Sequence, residues 1–285
     1  MTSSHYAIPK LPPQRQTPDQ QAPWVLYQSA RLNAFLAQSA LSLRYGFTGK
    51  PLSLGGSALS VEERTKNRLL LAQEAGLSVT IPVLAPEQIH SDIALLNQEA
   101  LSTGCDAVII TEPGLPAIVQ AADCVPVLLL DPKACVGAVI HAGWRGTAAS
   151  ITLKTALKLS ALTGNPPETL LAVIGPSAGG CCYEVSHEVY NALSQSLATK
   201  EKQALPSWCL PSRPEESHCL EPHYYVDLKR VNQAQLASLG LGTPKASGWI
   251  DIIEACTLCL PAFLWSHRRG ETGRQVLYLE FGLVS

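Results

Sequence analysis

Apolar residues along this chain fall into two kinds of pattern. Short runs at 79–84, 107–110, 117–119, 126–130, 136–140, 170–174 and 249–253 are rich in β-branched side chains and bounded by Gly, Pro or Asp, which predicts strands. Longer amphipathic stretches predict helices over 62–76, stopped by Gly76, and over 147–162. The second carries Lys154 and Lys158 on its polar side and stops at Gly164-Asn165-Pro166-Pro167. Further helices are predicted over 185–197 and 227–239, and the end of the chain (AFLWSHRR-GETG-RQVLYLEF) reads as a hairpin. Residues 24–43 show no clean period. Strands and helices alternate with no internal repeat and no linker after residue 24, so a single α/β domain over 24–285 is the economical reading.

Two segments stand outside that pattern. Residues 1–23 hold five prolines and four glutamines between Pro9 and Pro23, the composition of a disordered, solvated N-terminal arm. Residues 200–222 mix prolines and charges and read as a loop insertion.

Composition narrows the class. Apolar residues make up 46% and charged residues 15%, which excludes a wholly disordered chain. At 285 residues, about three quarters of the extended surface can be buried, so the core needs no staples. A net charge of −2 gives no basic footprint for nucleic acid or an anionic membrane, and no apolar run reaches the length of a membrane span. The first residues have no apolar core for a secretory signal. Nine cysteines, an odd count, then point to free thiols in a reducing cytoplasm.

Three segments place a metal-capable residue near a predicted strand end: EQIHSD around His90, AADCVPVLLLD around Cys124 and VIHAGWRG around His141. The short turn 131–134 makes Cys124 and His141 neighbours on one edge if the two flanking strands pair. His90 has to arrive from a different strand. Two imidazoles and a thiolate suit zinc and leave a fourth tetrahedral position open; copper is also suited to them. The plainer alternative is a buried thiol beside satisfied core histidines. Arg145, in the glycine-flanked GWRG turn, offers a cation for an anionic substrate or a structural carboxylate.

Other motifs are weaker. Cys256 and Cys259 form a C-x-x-C, but no second pair follows at zinc-ribbon spacing, so free thiols are expected. Cys209, His218, Cys219 and His223 are irregularly spaced candidates for another metal. GPSAGG is either a phosphate cradle or a turn that redirects the chain.

Taken together, TGCDAVIITEPGLPAIVQAADCVPVLLLDPKACVGAVIHAGWRGT, IGPSAGGCCYEV, YVDL and SHRRGETGR closely resemble the laccase-domain or "polyphenol oxidase" family. Its bacterial members are also labelled peptidoglycan editing factor. The resemblance runs from about Tyr45 to the C-terminus. It implies a single domain with α/β/β/α layers and mixed sheets, similar to the catalytic domain of cytotoxic necrotizing factor toxins. It also implies purine nucleoside phosphorylase activity, with adenosine deaminase and methylthioadenosine phosphorylase as side activities. The family's zinc ligands, in Q-x-H, A-D-C and H-A-G-W-R-G, fall on His90, Cys124 and His141. Its helical N-R, whose arginine serves the phosphate and nucleoside pocket, falls on Asn67-Arg68. Two departures lie on the substrate edge: L-N-L-G becomes Leu52-Ser53-Leu54-Gly55, placing Ser53 where a pocket asparagine is usual, and F-T-T-R-x-G-G is shortened to Phe47-Thr48-Gly49-Lys50.

A four-copper laccase site needs many histidines, usually as H-x-H pairs. This chain has seven and no such pair, so the oxidase reading is minor. A cysteine hydrolase using Cys124, an editing hydrolase acting on a peptidoglycan precursor, and a non-enzymatic metal-stabilised interaction protein are the alternatives. The expected partners are a purine nucleoside and phosphate, with no nucleic acid or membrane and a monomeric chain.

Overall fold

The computed structural model describes residues 24–56, 59–79, 83–198, 209–211 and 223–282. In chain order the elements are β1 (Leu26–Tyr27), α1 (Ala30–Leu36), β2 (Leu43–Thr48), α2 (Val61–Ala75), β3 (Ala94–Leu96), β4 (Ala107–Ile110), β5 (Ala117–Ala121), β6 (Val125–Asp131) and β7 (Val136–Ala142). They continue with α3 (Trp144–Ala148), α4 (Ile151–Thr163), β8 (Leu171–Ile174), β9 (Glu184–Ser186), α5 (His187–Gln195), β10 (Cys209–Pro211), β11 (His223–Val226), α6 (Leu228–Ser238), β12 (Trp249–Ile252) and β13 (Gln275–Phe281).

A six-stranded mixed sheet, ordered β12-β8-β6-β7-β4-β3, is the centre of the molecule. Its two outer pairs are parallel and the inner pairs antiparallel. Its four inner strands are buried on both faces, which explains their unbroken apolar runs. One face (Val127, Leu129, Ala138, Ile140) packs against Ile151 and Leu159 of α4 and Val231 of α6. The other (Leu128, Leu130, Val139) meets Phe47, Val119 and Leu277 of an antiparallel four-stranded sheet, β1-β2-β13-β5. Behind that second sheet, Ile118, Val276 and Tyr278 cover Leu71 and Ala72 of α2. The layers are therefore α/β/β/α, in one mixed α/β domain. Among the described residues, no helix is long and apolar enough to cross a membrane.

Local chemistry explains the element boundaries. Ser60 and Glu63 form a reciprocal capping box at the start of α2, and Gly76 ends it in the left-handed conformation (φ 66°). Asp227 caps α6 through the amides of Lys229 and Arg230.

The structure departs from the sequence pattern in several places. The helix expected over 147–162 is two helices, because Ser150 adopts a left-handed backbone (φ 63°) between α3 and α4. The Thr147 carbonyl accepts from the Ser150 amide and from Gln235 Nε2, at 2.9 Å each, so a tight turn and a tertiary contact together satisfy the break. The C-terminal hairpin does not form. The Gln275 side chain binds both the amide and the carbonyl of Trp265, at 3.0 and 3.1 Å, so that segment is held by a side chain rather than by a ladder. β13 lies instead between β2 and β5. Residues 80–82 of the run expected over 79–84 lie outside the described residues; within it, Leu84 makes a single bridge to Ala117. The segment read as an arm, 1–23, is likewise outside them, as is most of 200–222, from which β10 pairs with β11.

Candidate metal centre

The β6–β7 hairpin sets Pro126 opposite His141 and Val125 opposite Ala142, so Cys124, just before β6, sits beside His141 near the end of β7. His90 arrives from the irregular segment before β3 rather than from a strand end, with a left-handed backbone (φ 59°). Its placement comes from its neighbours. Gln88 docks on the edge of β5, its side chain bonding the Gln120 carbonyl and amide at 2.7 Å each. Asp106 fixes the three residues that follow.

The Asp106 side chain is fully buried and organises the site. Its carboxylate accepts from the amides of Ile89, His90 and Ser91 at 3.2, 3.1 and 2.6 Å, and from Ser91 Oγ at 2.7 Å. It also accepts from His141 Nδ1 at 2.8 Å. One carboxylate thus holds the loop that presents His90 and orients the His141 ring, leaving His141 Nε2 for a ligand. Sequence reasoning passed over Asp106, which reads as a residue bounding a strand. Its only signal was an acidic residue directly before a wholly apolar strand.

The ligand atoms of His90, Cys124 and His141 lie within 4.8 Å of one another. The two imidazoles meet edge to face, with centroids 4.9 Å apart. His90 is exposed, Cys124 half-buried and His141 buried, so the trio opens to one side. Gly143 makes room: a Cβ there would lie 2.9 Å from His90 Cδ2 and 3.2 Å from Cys124 Sγ, which accounts for the glycine of His-Ala-Gly. Burial raises the Cys124 pKa, but the charge and hydrogen bond of His141, with those of His90, outweigh it and bring the thiol down to about 6. Burial lowers that of His141, yet Cys124 and Asp106 lift it to about 9. These shifts favour a thiolate beside an imidazolium, and a metal ion held here would take the place of the proton on His141. A soft thiolate with two imidazoles and an oriented outer shell fits zinc.

Asp123, next to Cys124, has a positive φ of 84°. Its carboxylate is held by Thr257 Oγ1 at 2.5 Å, Ser266 Oγ at 3.0 Å and the Arg268 amide at 2.8 Å. This support draws on the segment expected to form a hairpin.

The other predicted site residues lie in three places, on α2, on α3 and in the loop between β2 and α2. Arg68, on α2, is half-buried, and its pKa is lowered by burial and by the neighbouring charge of Arg64. Among the described residues its Nε has no hydrogen-bond partner. Asn67 donates to the Ser53 carbonyl at 2.7 Å. The Ser53 hydroxyl donates to the Gly55 carbonyl at 2.8 Å and accepts from the Arg274 amide at 2.9 Å. Arg145 is exposed on α3 and stacks over Trp144, 4.2 Å from the ring centroid. Of the irregular set, Cys209 and His223 sit in β10 and β11, while His218 and Cys219 lie outside the described residues.

This layered fold, with a Cys/His cluster at one end of its central hairpin, defines a family to which the chain belongs: that described as multi-copper polyphenol oxidoreductase laccase, whose model matches residues 54–281. The chain is 31% identical over 218 residues to a purine nucleoside phosphorylase of Bacteroides thetaiotaomicron, covering 73% of this chain and 75% of that protein. It is 30% identical over 229 residues to adenosine deaminase RL5 of an unknown prokaryotic organism, covering 76% and 79%. Its fold is similar to that of YlmD from Geobacillus stearothermophilus, with a TM-score of 0.74 and 24% identity over 94% of this chain and 98% of that one.

Proposed function

We propose that the chain is a zinc-dependent enzyme of purine metabolism that phosphorolyses purine nucleosides such as adenosine and inosine. Methylthioadenosine phosphorolysis and adenosine deamination would be side activities. The observation that carries the reading is the convergence of His90, Cys124 and His141 around Asp106, in a chain about 30% identical to a purine nucleoside phosphorylase and to an adenosine deaminase. His90, Cys124 and His141 would hold the ion, which supplies Lewis acidity and an open coordination position. Copper is the alternative occupant.

The rest of the chemistry falls to the chain. In phosphorolysis a phosphate oxygen bonds to the anomeric carbon as the glycosidic bond breaks, and that electron pair leaves with the base, which takes up a proton. Arg68 is the proposed phosphate anchor. Its guanidinium is half-buried beside a second arginine, and an anion there relieves the repulsion and engages the planar donors in parallel. Arg145 and the Ser53 loop are proposed to border the nucleoside. Asp106 acts through His141 and His90 as a positioning residue. A reducing, cytoplasmic setting belongs to this reading, because the Cys124 ligand stays a thiolate there.

The test is incubation of purified, metal-analysed protein with adenosine, with and without phosphate, with products separated by chromatography. Adenine and ribose 1-phosphate appearing only with phosphate support phosphorolysis; inosine appearing without phosphate reports deamination. No turnover of any purine nucleoside by zinc-loaded protein overturns the proposal.

A further inference from the structure

The C-x-x-C at Cys256 and Cys259 has a second pair after all, supplied by the adjacent cysteines Cys181 and Cys182, 74 or more positions earlier. β8 and β12 run parallel, and their pairing continues past the strand ends. The Ser177 amide donates to the Ala255 carbonyl at 3.2 Å, and the Thr257 amide to the Ser177 carbonyl at 3.0 Å. This register brings the turn after GPSAGG, with Cys181 and Cys182, against the turn holding Cys256 and Cys259. All four sulfurs lie within 4.8 Å of one another. Cys259 Sγ is 3.6 Å from Cys181 Sγ and 3.4 Å from Cys182 Sγ.

These separations select among chemistries. A metal–sulfur distance of about 2.3 Å in a tetrahedron places neighbouring sulfurs about 3.8 Å apart. The four thiols are therefore near the spacing that one ion requires, and all are free. The Gly179 amide donates to Cys256 Sγ at 3.3 Å, a contact that suits a thiolate.

We propose that Cys181, Cys182, Cys256 and Cys259 bind one zinc ion in a closed tetrathiolate site that clips the two turns together. All four positions are filled by protein, so the site is structural. What it stabilises is visible in the hydrogen bonds. Thr257, between the two cysteines of the C-x-x-C, donates to Asp123 Oδ1, and the Ala178 amide in the other turn donates to the Asp123 carbonyl at 3.0 Å. Both clipped turns therefore grip the residue next to Cys124.

The test uses Cys124→Ala, which removes the only thiolate of the first cluster while leaving the second intact. Depleted of metal and titrated with cobalt(II), this chain is expected to take up one tightly held ion with the near-ultraviolet charge-transfer bands of four thiolates and the visible bands of a tetrahedral site. One equivalent of zinc should bleach them. Adding Cys259→Ser should weaken the bands and release the ion more readily to a chelator. Because the cobalt spectrum is read with all four cysteines present, it stands even if the double variant fails to fold. Failure of Cys124→Ala to hold zinc or cobalt, with all four thiols reacting freely with a thiol reagent, would overturn the proposal. So would stoichiometric iron in their place, or a disulfide among them in protein kept under reductant.

Discussion

The two sulfur-bearing clusters of this protein are built from different parts, and each has an exposed member, His90 in the first and Cys181 in the second. The first joins one thiol to two imidazoles and takes its ligands from three separate segments. The second is all cysteine, drawn from two turns that extend the parallel pairing of β8 and β12. Three protein ligands leave a coordination position for chemistry, whereas four close the shell. Their supports differ in kind as well. A buried carboxylate, Asp106, aims the first, while in the second a backbone amide, that of Gly179, donates to Cys256. An open centre needs its ligands oriented from outside because the metal does not complete the cage. A closed one is oriented by its own ion.

The largest effect expected from this contrast is that of Cys124→Ala. Zinc should fall from two ions per chain to one, and nucleoside turnover by two orders of magnitude or more (on the order of the largest losses seen when a metal's surroundings are altered). The fold should persist, since a core of this size does not depend on metal. Metal analysis alongside product chromatography checks this. Two zinc ions retained would show that Cys124 is not a ligand.

Asp106→Asn comes next. It keeps the shape but removes the charge, and presents one acceptor oxygen where two now serve five donors. Zinc affinity at the first cluster should drop about 10- to 100-fold, while cobalt spectra of the second stay unchanged. Equal weakening of both would mean that Asp106 supports the fold at large rather than the open site.

Arg68→Lys distinguishes substrate binding from metal binding. Lysine retains the charge but not the paired donors, so the phosphate concentration needed for half-maximal phosphorolysis should rise about 10-fold, roughly the value of one charged hydrogen bond. Deamination should change little, and both metals should remain. An equal loss of both reactions would assign Arg68 to the nucleoside or to the scaffold.

How much of this was legible in the chain depended on sequence distance. The β6–β7 hairpin and its flanking Cys124 and His141 could be read because the turn between the strands is only a few residues long. The helix read over 62–76 was legible with Gly76 as its stop, whereas the Ser60–Glu63 capping box that starts it was found only in the structure. Asp106 was not legible, because its importance lies in five donors gathered from residues 89–91 and 141. The Cys181–Cys182 pair was hidden for the same reason: only the β8–β12 register makes it adjacent to Cys256 and Cys259. The break at Ser150 and the failed C-terminal hairpin share a cause. In both, a glutamine side chain, Gln235 from 88 residues away and Gln275 from 10, bonds to backbone groups that local pattern would have assigned to a helix or a ladder.

The smallest effect expected is at the link between the two clusters. Thr257 is fully buried, and its hydroxyl donates to an Asp123 carboxylate that already has donors in Ser266 and the Arg268 amide. Thr257→Val keeps the shape and deletes that one bond. Because two donors remain, the cost should be about 1–3 kcal/mol, the range for a buried group that loses a partner. In a domain of this size that is a fall of several degrees in Tm. Both zinc ions should stay bound, since no ligand is touched. Turnover should fall only a few-fold, through a slackened Asp123 and hence a less firmly aimed Cys124. Calorimetry and kinetics on the same preparation separate the outcomes. If turnover is unchanged while Tm falls, the second cluster stabilises the fold without tuning the first. If turnover falls with no change in Tm, Thr257 acts on the open site directly, and the tetrathiolate clip is part of how that site is aimed.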